Sequence, residues 1–286
     1  MPALIDLRRR IKSVKNTQQI TKAMKTVSTA KFKKAQRTVQ EGRPYWHNSP
    51  ALVGCLASWA EDCDSPLLAE REEHRIQVVV ITSDKGLCGA FNSNLLVRTL
   101  SFLKDKSKTS DPRLILVGKK AVNFFKRLPY PVDLAYADKV EKLSLKELRK
   151  IGRDLMRLYA FQKTDGVYIA YNEFKSILAP RITLTRVLPV STPEEEEPGA
   201  VAPDWEPDEA RLLDYLLPLY VESQIYHAFF ESLAAEQAAR MMAMENATRN
   251  AEDLISNLFL LLNKLRQASI TKELLEIMTA VEALAE

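Results

Sequence analysis

The sequence predicts an α/β protein in which a long antiparallel coiled coil of the N- and C-terminal helices brackets a central domain with a mostly parallel sheet. Three observations carry this. All eight glycines of the 286 residues lie between Gly42 and Gly199, and residues 3–41 and 219–286 hold neither glycine nor proline. Tracts without helix breakers propagate helix, and the 68 positions of 219–286 correspond to about 100 Å of α-helix at 1.5 Å per residue. Both tracts repeat apolar or small residues at alternating spacings of three and four. Between them, β-branched runs alternate with helical stretches, the pattern of a parallel sheet covered by helices.

In the first helix the repeat runs through Leu4, Leu7, Ile11, Val14, Gln18, Thr21, Lys25, Ser28, Phe32, Ala35 and Val39, a heptad seam with a polar middle. In the last it runs through Tyr226, Phe230, Leu233, Gln237, Arg240, Met244, Ala247, Ala251, Leu254, Leu258, Leu261, Leu265, Ala268, Lys272 and Leu275. A sustained 3.5-residue repeat imposes a left-handed supercoil on helices that share it. Charge favours their pairing: residues 1–40 carry eleven Lys or Arg against Asp6 alone, 11 − 1 = +10, and residues 219–286 carry five basic and ten acidic residues, 5 − 10 = −5. Alanines and polar breaks weaken the seam, so part of each helix is expected to face another protein. Pro44 and Pro50 predict a bend or restart in the first helix before about residue 58, and Pro218 a kink at the start of the last.

In the middle, Arg75 to Ser83 reads as a buried strand, Phe91 to Lys106 as a helix, and Arg113 to Gly118 as a second strand. Lys119 to Leu128 is helical and Val132 to Tyr136 a short strand. Ser144 to Gln162 is a helix opened by Ser144 and Glu147 at capping-box spacing. Gly166 to Asn172 and Ile182 to Val190 are strands. This βαβαβαββ order describes a Rossmann-like domain. The organisation is then residues 1–58 as the N-terminal coiled-coil helix, 75–190 as the central α/β domain, 191–207 as an acidic, proline-rich loop (Ser191 to Pro207), and 208–286 as the C-terminal coiled-coil helix. The acids Glu194 to Glu197 read as a solvated charge run.

Composition excludes several classes. The longest apolar runs, such as Leu258 to Leu262, fall short of the ~20 residues that cross a bilayer, so membrane association goes through a partner. No secretory signal is indicated at the start. Cys55, Cys63 and Cys88 match no zinc or redox spacing and read as reduced. His47, His74 and His227 are scattered and supply neither a triad nor a metal set.

The most enzyme-like feature is Thr82 to Gly89 (TSDKGLCG) at the carboxyl end of the first strand, where open α/β sheets bind ligands. Its spacing matches neither the dinucleotide nor the P-loop pattern; a tight structural turn and a small nucleotide site are both readings of it. The basic first helix has Phe32 as its single aromatic residue within 3–41, so bases have no stacking platform and acidic protein partners suit it better than nucleic acid. Arg8, Arg9 and Arg10 crowd the positive end of the helix dipole, an arrangement that external carboxylates would relieve.

Four blocks carry a resemblance. Ile11 to Met24 (IKSVKNTQQITKAM), Ser83 to Gly89 (SDKGLCG), Glu236 to Met241 (EQAARM) and Asn263 to Leu274 (NKLRQASITKEL) resemble, in order and end to end, the gamma subunits of F-type ATP synthases. The resemblance implies a central rotor stalk: terminal helices inserted into a hexamer of alpha and beta subunits, and an α/β foot that contacts the epsilon subunit and the membrane ring of c subunits. It implies no catalytic residue, cofactor or metal in this chain, since the ATP sites belong to beta and alpha. Met24, Lys25, Arg240, Arg266, Gln267, Thr271 and Glu273 are implied as the torque-coupling set, with Arg266 and Gln267 meeting the beta catch loop; Lys25 reads equally as a solvating residue. Ser83, Asp84, Gly86, Cys88 and Gly89 form the family turn, and the tip from Leu274 to Leu284 is implied to run in an apolar bearing. Chloroplast-type members carry an insertion with a regulatory cysteine pair after the α/β domain. Here Ser191 to Pro207 is short and cysteine-free, so thiol regulation of that kind is not expected; with no transit-like extension a bacterial form is expected, peripheral on the cytoplasmic side of the inner (plasma) membrane, although a processed mitochondrial chain would look similar. Two alternatives stay open: a small α/β nucleotide-binding protein using the Ser83 to Gly89 turn, and a coiled-coil scaffold.

Overall fold

The computed structural model describes residues 2–59, 65–176, 180–191, 206 and 209–285. Cys63 and most of the acidic loop, Glu194 to Glu197 included, lie outside these residues. Contacts divide the chain into one unit of residues 1–28 with 241–286 and another of residues 29–240. The elements are α1 (Pro2–Trp59), β1 (Arg75–Ile81), α2 (Phe91–Lys106), β2 (Asp111–Val117), α3 (Lys119–Phe125), β3 (Val132–Tyr136), α4 (Leu145–Ala160), β4 (Gly166–Glu173), β5 (Arg181–Leu188) and α5 (Glu209–Ala285).

In the unit of residues 29–240 the five strands are ordered β3-β2-β1-β4-β5. Every pairing is parallel except β4 with β5. The central strand β1 is apolar on both faces because side chains alternate across a strand and helices cover each side. Val79 and Ile81 join Ile115 and Ile169 beneath Ile151, Leu155 and Tyr159 of α4 and Leu217, Val221 and Ile225 of α5. Val78 and Val80 face Leu95 and Leu103 of α2 and Phe125 of α3. The capping box at α4 is as expected: the Glu147 amide donates to Ser144 Oγ at 3.3 Å and the Ser144 amide donates to Glu147 Oε2 at 2.8 Å. That backbone bond holds the Glu147 carboxyl below its usual range.

Of the outcomes expected at the prolines, a restart of the first helix does not occur. Both α1, through Pro44 and Pro50, and α5, through Pro218, are assigned as unbroken helices. A proline inside a helix costs about 3 kcal/mol, but the flanking side chains are deep in the core. Val53 is 3% exposed and Leu56 0%, and Leu213, Leu217 and Val221 are each 0% exposed. Burying each such side chain stabilises by about 1.5–3 kcal/mol, which together outweighs the missing hydrogen bond.

In the unit of residues 1–28 and 241–286 the two helices run antiparallel. Gln18 Nε2 donates to Glu252 Oε1 at 2.9 Å, the Thr21 and Thr248 hydroxyls meet at 2.8 Å, and Lys25 Nζ lies 2.5 Å from Glu245 Oε2. Partner numbers on α5 fall as those on α1 rise. The polar middle of the first seam is thereby matched residue for residue on α5, which is why Gln18, Thr21 and Lys25 occupy seam positions.

The seam of α1 is confirmed, with every predicted position described being buried or half-buried. That of α5 needs a correction beyond Met244. Leu254 and Leu261 are 39% and 44% exposed, whereas Thr248, Ile255 and Leu262 are half-buried beside the buried Met244, Ala251 and Leu258. The alternation is therefore four-then-three from Met244, not three-then-four. In the run LFLLL either phase offers leucine, so the phase is chosen by what α1 presents rather than by the helix itself.

Candidate functional site

The turn after β1 is built from side chains that take up its own backbone. Ser83 donates its amide to Asn92 Oδ1 at 3.0 Å and its hydroxyl to the Lys85 carbonyl at 2.6 Å, while Asn92 Nδ2 donates to Ser83 Oγ at 2.8 Å and to Cys88 Sγ at 3.1 Å. Asp84 accepts amides from Lys119 at 3.0 Å, Asp138 at 2.9 Å and Val140 at 2.9 Å. One carboxylate thus ties the start of α3 to the segment after β3. Gly89 has φ of +57° and Leu87 of +62°, left-handed conformations that glycine adopts without strain. Burial pushes the Cys88 thiol above its ordinary range, the opposite of what a nucleophile needs. Removing Asp84 orphans three donors. Asp84→Ala is expected to cost about 2–4 kcal/mol, since hydrogen bonds to charged groups contribute about 1.5–3 each and water reaches part of this site; urea unfolding checks this, and a loss below the scatter of surface variants would sink the assignment.

Helix α5 holds this turn from behind. Arg240 Nε donates to the Gly86 carbonyl at 3.3 Å, and its Nη2 donates to the Lys85 carbonyl at 3.4 Å and to Glu236 Oε1 at 2.6 Å. Both charged side chains are nearly inaccessible, at 7% and 5%. Burial pushes the Glu236 carboxyl above its usual range, with Arg240 opposing. One turn earlier, Glu231 Oε2 accepts the Phe174 amide at 2.9 Å at the end of β4, Arg43 Nη2 donates to the Phe174 carbonyl at 2.8 Å, and Ser232 Oγ donates to the Ile81 carbonyl at 3.5 Å. Burial opposes ionisation of Glu231, yet bonds from His227 and the Phe174 amide hold its carboxyl below the usual range. The strand order reverses between β1 and β4, and the crevice beyond their carboxyl ends is where open α/β sheets bind nucleotides. Here α5 fills it with Glu231, Ser232, Glu236 and Arg240, which weighs against the nucleotide-binding alternative.

The residues of the implied coupling set are not gathered in one place. Met24 is half-buried and Lys25 pairs with Glu245, whose carboxyl that lysine hydrogen bond lowers. Arg266, Gln267, Thr271 and Glu273 are exposed, and Arg266 lies 21 residues beyond Glu245, about 30 Å along the helix. From Ile270 to Val281 the helix is bare: Leu274, Leu275, Ile277, Met278 and Val281 are 57–69% exposed. Sequence reasoning missed Asn92, Gly118, and the Arg43–Glu231 pair. A polar residue just inside α2 and a glycine between β2 and α3 were signals for the first two; nothing local marked the third.

An α/β domain whose ligand crevice is filled by its own helix, and whose last helix carries exposed apolar surface as far as Val281, defines a mechanical component of a larger assembly. The family model described as ATP synthase matches residues 3–284. An ATP synthase gamma chain from Desulforudis audaxviator is 45% identical over 99% of this chain and 100% of its own length, and one from Pelotomaculum thermopropionicum is 43% identical with the same coverage. The chain is also similar to one from the central stalk and c-ring of Tetrahymena thermophila mitochondrial ATP synthase, at 27% identity and a TM-score of 0.62 over 80% of this chain and 99% of that one. A chain of the Euglena gracilis mitochondrial enzyme, at 21% identity and a TM-score of 0.70 over 99% of this chain and 95% of that one, shares the fold. The chain belongs to the ATP synthase gamma-chain family.

Proposed function

We infer that this chain is the central rotor stalk that couples ion-driven rotation of a c-ring to ATP synthesis and hydrolysis at alpha and beta catalytic sites, without catalysing either reaction itself. The observation that carries the reading is the bare apolar end of α5. Exposed apolar surface of this extent needs a sleeve, and a shaft turning in a hexamer has one. The alpha and beta subunits are its partners there, and epsilon and the c-ring bind the α/β foot; nucleic acid is not a partner. No described helix is long and apolar enough to cross a membrane; in this reading attachment is peripheral, through the complex, on the cytoplasmic side.

Met24, Lys25, Arg240, Arg266, Gln267, Thr271 and Glu273 transmit torque in this reading, Arg240 by bracing the Ser83 to Gly89 turn and the exposed Arg266, Gln267, Thr271 and Glu273 by touching beta. Arg266→Ala with Gln267→Ala leaves the isolated chain folded, because both side chains are exposed. In the reconstituted complex it lowers ATP turnover about tenfold, as expected if about 1.4 kcal/mol of coupling is lost. Unchanged turnover and ion pumping would remove both residues from the coupling path.

A further inference from the structure

Helix α4 carries a second charged surface that the rotor reading does not use. Lys146, Arg149, Lys150, Arg153 and Arg157 are all exposed, and with Asp154 they line an open depression of about 370 Å³. Spacings of three and four place them on one helical face, spanning about 16 Å. The inner edge of that face is partly compensated within the fold. Arg149 Nε lies 3.0 Å from Glu222 Oε2 and Arg153 Nε 3.2 Å from Glu222 Oε1, so two guanidiniums already grip one buried carboxylate. On the outer edge, no carboxylate of the described residues forms an ion pair with Lys146, Lys150 or Arg157.

We propose that this face of α4 is a docking surface for an acidic segment of a partner protein, one that places carboxylates against Lys146, Lys150 and Arg157. The chemistry separates this from other anions. The apolar side of α4, with Leu148, Ile151, Leu155 and Tyr159, is buried against the sheet, so the helix has no apolar stripe to sink into a lipid surface. Asp154 stands among the cations, which repels a uniformly anionic bilayer or nucleic acid but accepts a donor from a protein of mixed charge. No aromatic residue lies along α4 between Lys146 and Arg157 to stack a base. Exposed ion pairs are individually weak, so binding draws on several at once and weakens with salt.

The test uses the assembled ATP synthase containing the full chain with a photoreactive p-benzoylphenylalanine at position 150. Irradiation followed by mass spectrometry is expected to give a cross-linked peptide from another subunit with at least three Asp or Glu within about two helical turns. Lys146→Glu with Arg157→Glu abolishes that cross-link, while Lys146→Gln with Arg157→Gln reduces it and leaves the unfolding midpoint unchanged. Cross-links to lipid, to residues 191–207 of the same chain, or to nothing overturn the proposal, as does a cross-link insensitive to charge reversal. The proposal rests on the chain working inside that complex. Failure of the unmodified chain to co-assemble is failure of the rotor reading; co-assembly without the cross-link is failure of this docking surface alone.

Discussion

Arg240→Ala lowers the thermal unfolding midpoint by about 10 °C. Deleting one member of a buried ion pair typically costs about 3–5 kcal/mol because the other charge is left without compensation, and a domain of about 200 residues loses 2–4 °C per kcal/mol. Here the stranded group is Glu236, 4% exposed, and the Lys85 and Gly86 carbonyls lose a donor as well. The pH dependence has a definite sign. The Glu236 carboxyl is already raised by burial, and without Arg240 it rises further. An acid raised in the folded state favours folding at low pH, and that advantage is lost as pH climbs from the ordinary carboxylate range through the folded value. The variant's deficit is therefore smallest near pH 4 and grows toward neutrality on the ordinary carboxylate reference scale. Glu236→Gln added to Arg240→Ala recovers part of the loss at neutral pH and little at low pH. Calorimetry across pH measures both, and a pH-independent deficit would show that the pair is not the cause.

Gly118→Ala is the second large effect. Gly118 has φ of +101°, and a Cβ there would sit 2.3 Å from the Thr82 carbonyl oxygen. That oxygen belongs to backbone already stitched to β2, with the Thr82 amide donating to the Val117 carbonyl at 2.8 Å and Thr82 Oγ1 accepting the Ala121 amide at 3.0 Å. It cannot step aside without loosening the end of β1. Left-handed backbone costs about 1–2 kcal/mol for a residue with a Cβ, and overpacking adds about 1–3, so a total of about 3–4 kcal/mol is expected. Gly86→Ala is the internal control: its Cβ would meet the flexible Lys120 side chain at 3.6 Å, ordinary contact, and under about 1 kcal/mol is expected. Urea midpoints at unchanged m-value compare the two. Equal losses would show that Gly118 has no special place.

The gap between the two readings of α5 is instructive. The helix itself, its length and the apolar character of its end were plain from a tract without glycine or proline. Its phase was not, because Leu254 and Ile255, or Leu261 and Leu262, satisfy a heptad equally well, and only the pairing with α1, Thr21 on Thr248 and Gln18 on Glu252, goes with Ile255 and Leu262 turning inward. The capping box of Ser144 and Glu147 could be read four residues at a time. Arg43 with Glu231 could not: 188 residues separate them, and the folded sheet brings them together. Pro44 and Pro50 err in the other direction, since a local rule allows a restart of α1 there that burial of their neighbours overrides.

By itself the sequence determined the elements, their order, the two glycine-free helical ends, and the four blocks that mark the family, because periodicity, caps and turn residues act within a few positions along the chain. Only the tertiary structure decided that α5 fills the crevice beyond β1 and β4, that Arg240 and Glu236 clamp the Ser83 to Gly89 turn, and that the cations of α4 divide into an inner edge paired with Glu222 and an open outer one. These depend on burial and charge pairing between residues far apart in sequence, where desolvation makes each partner's state depend on the other's position.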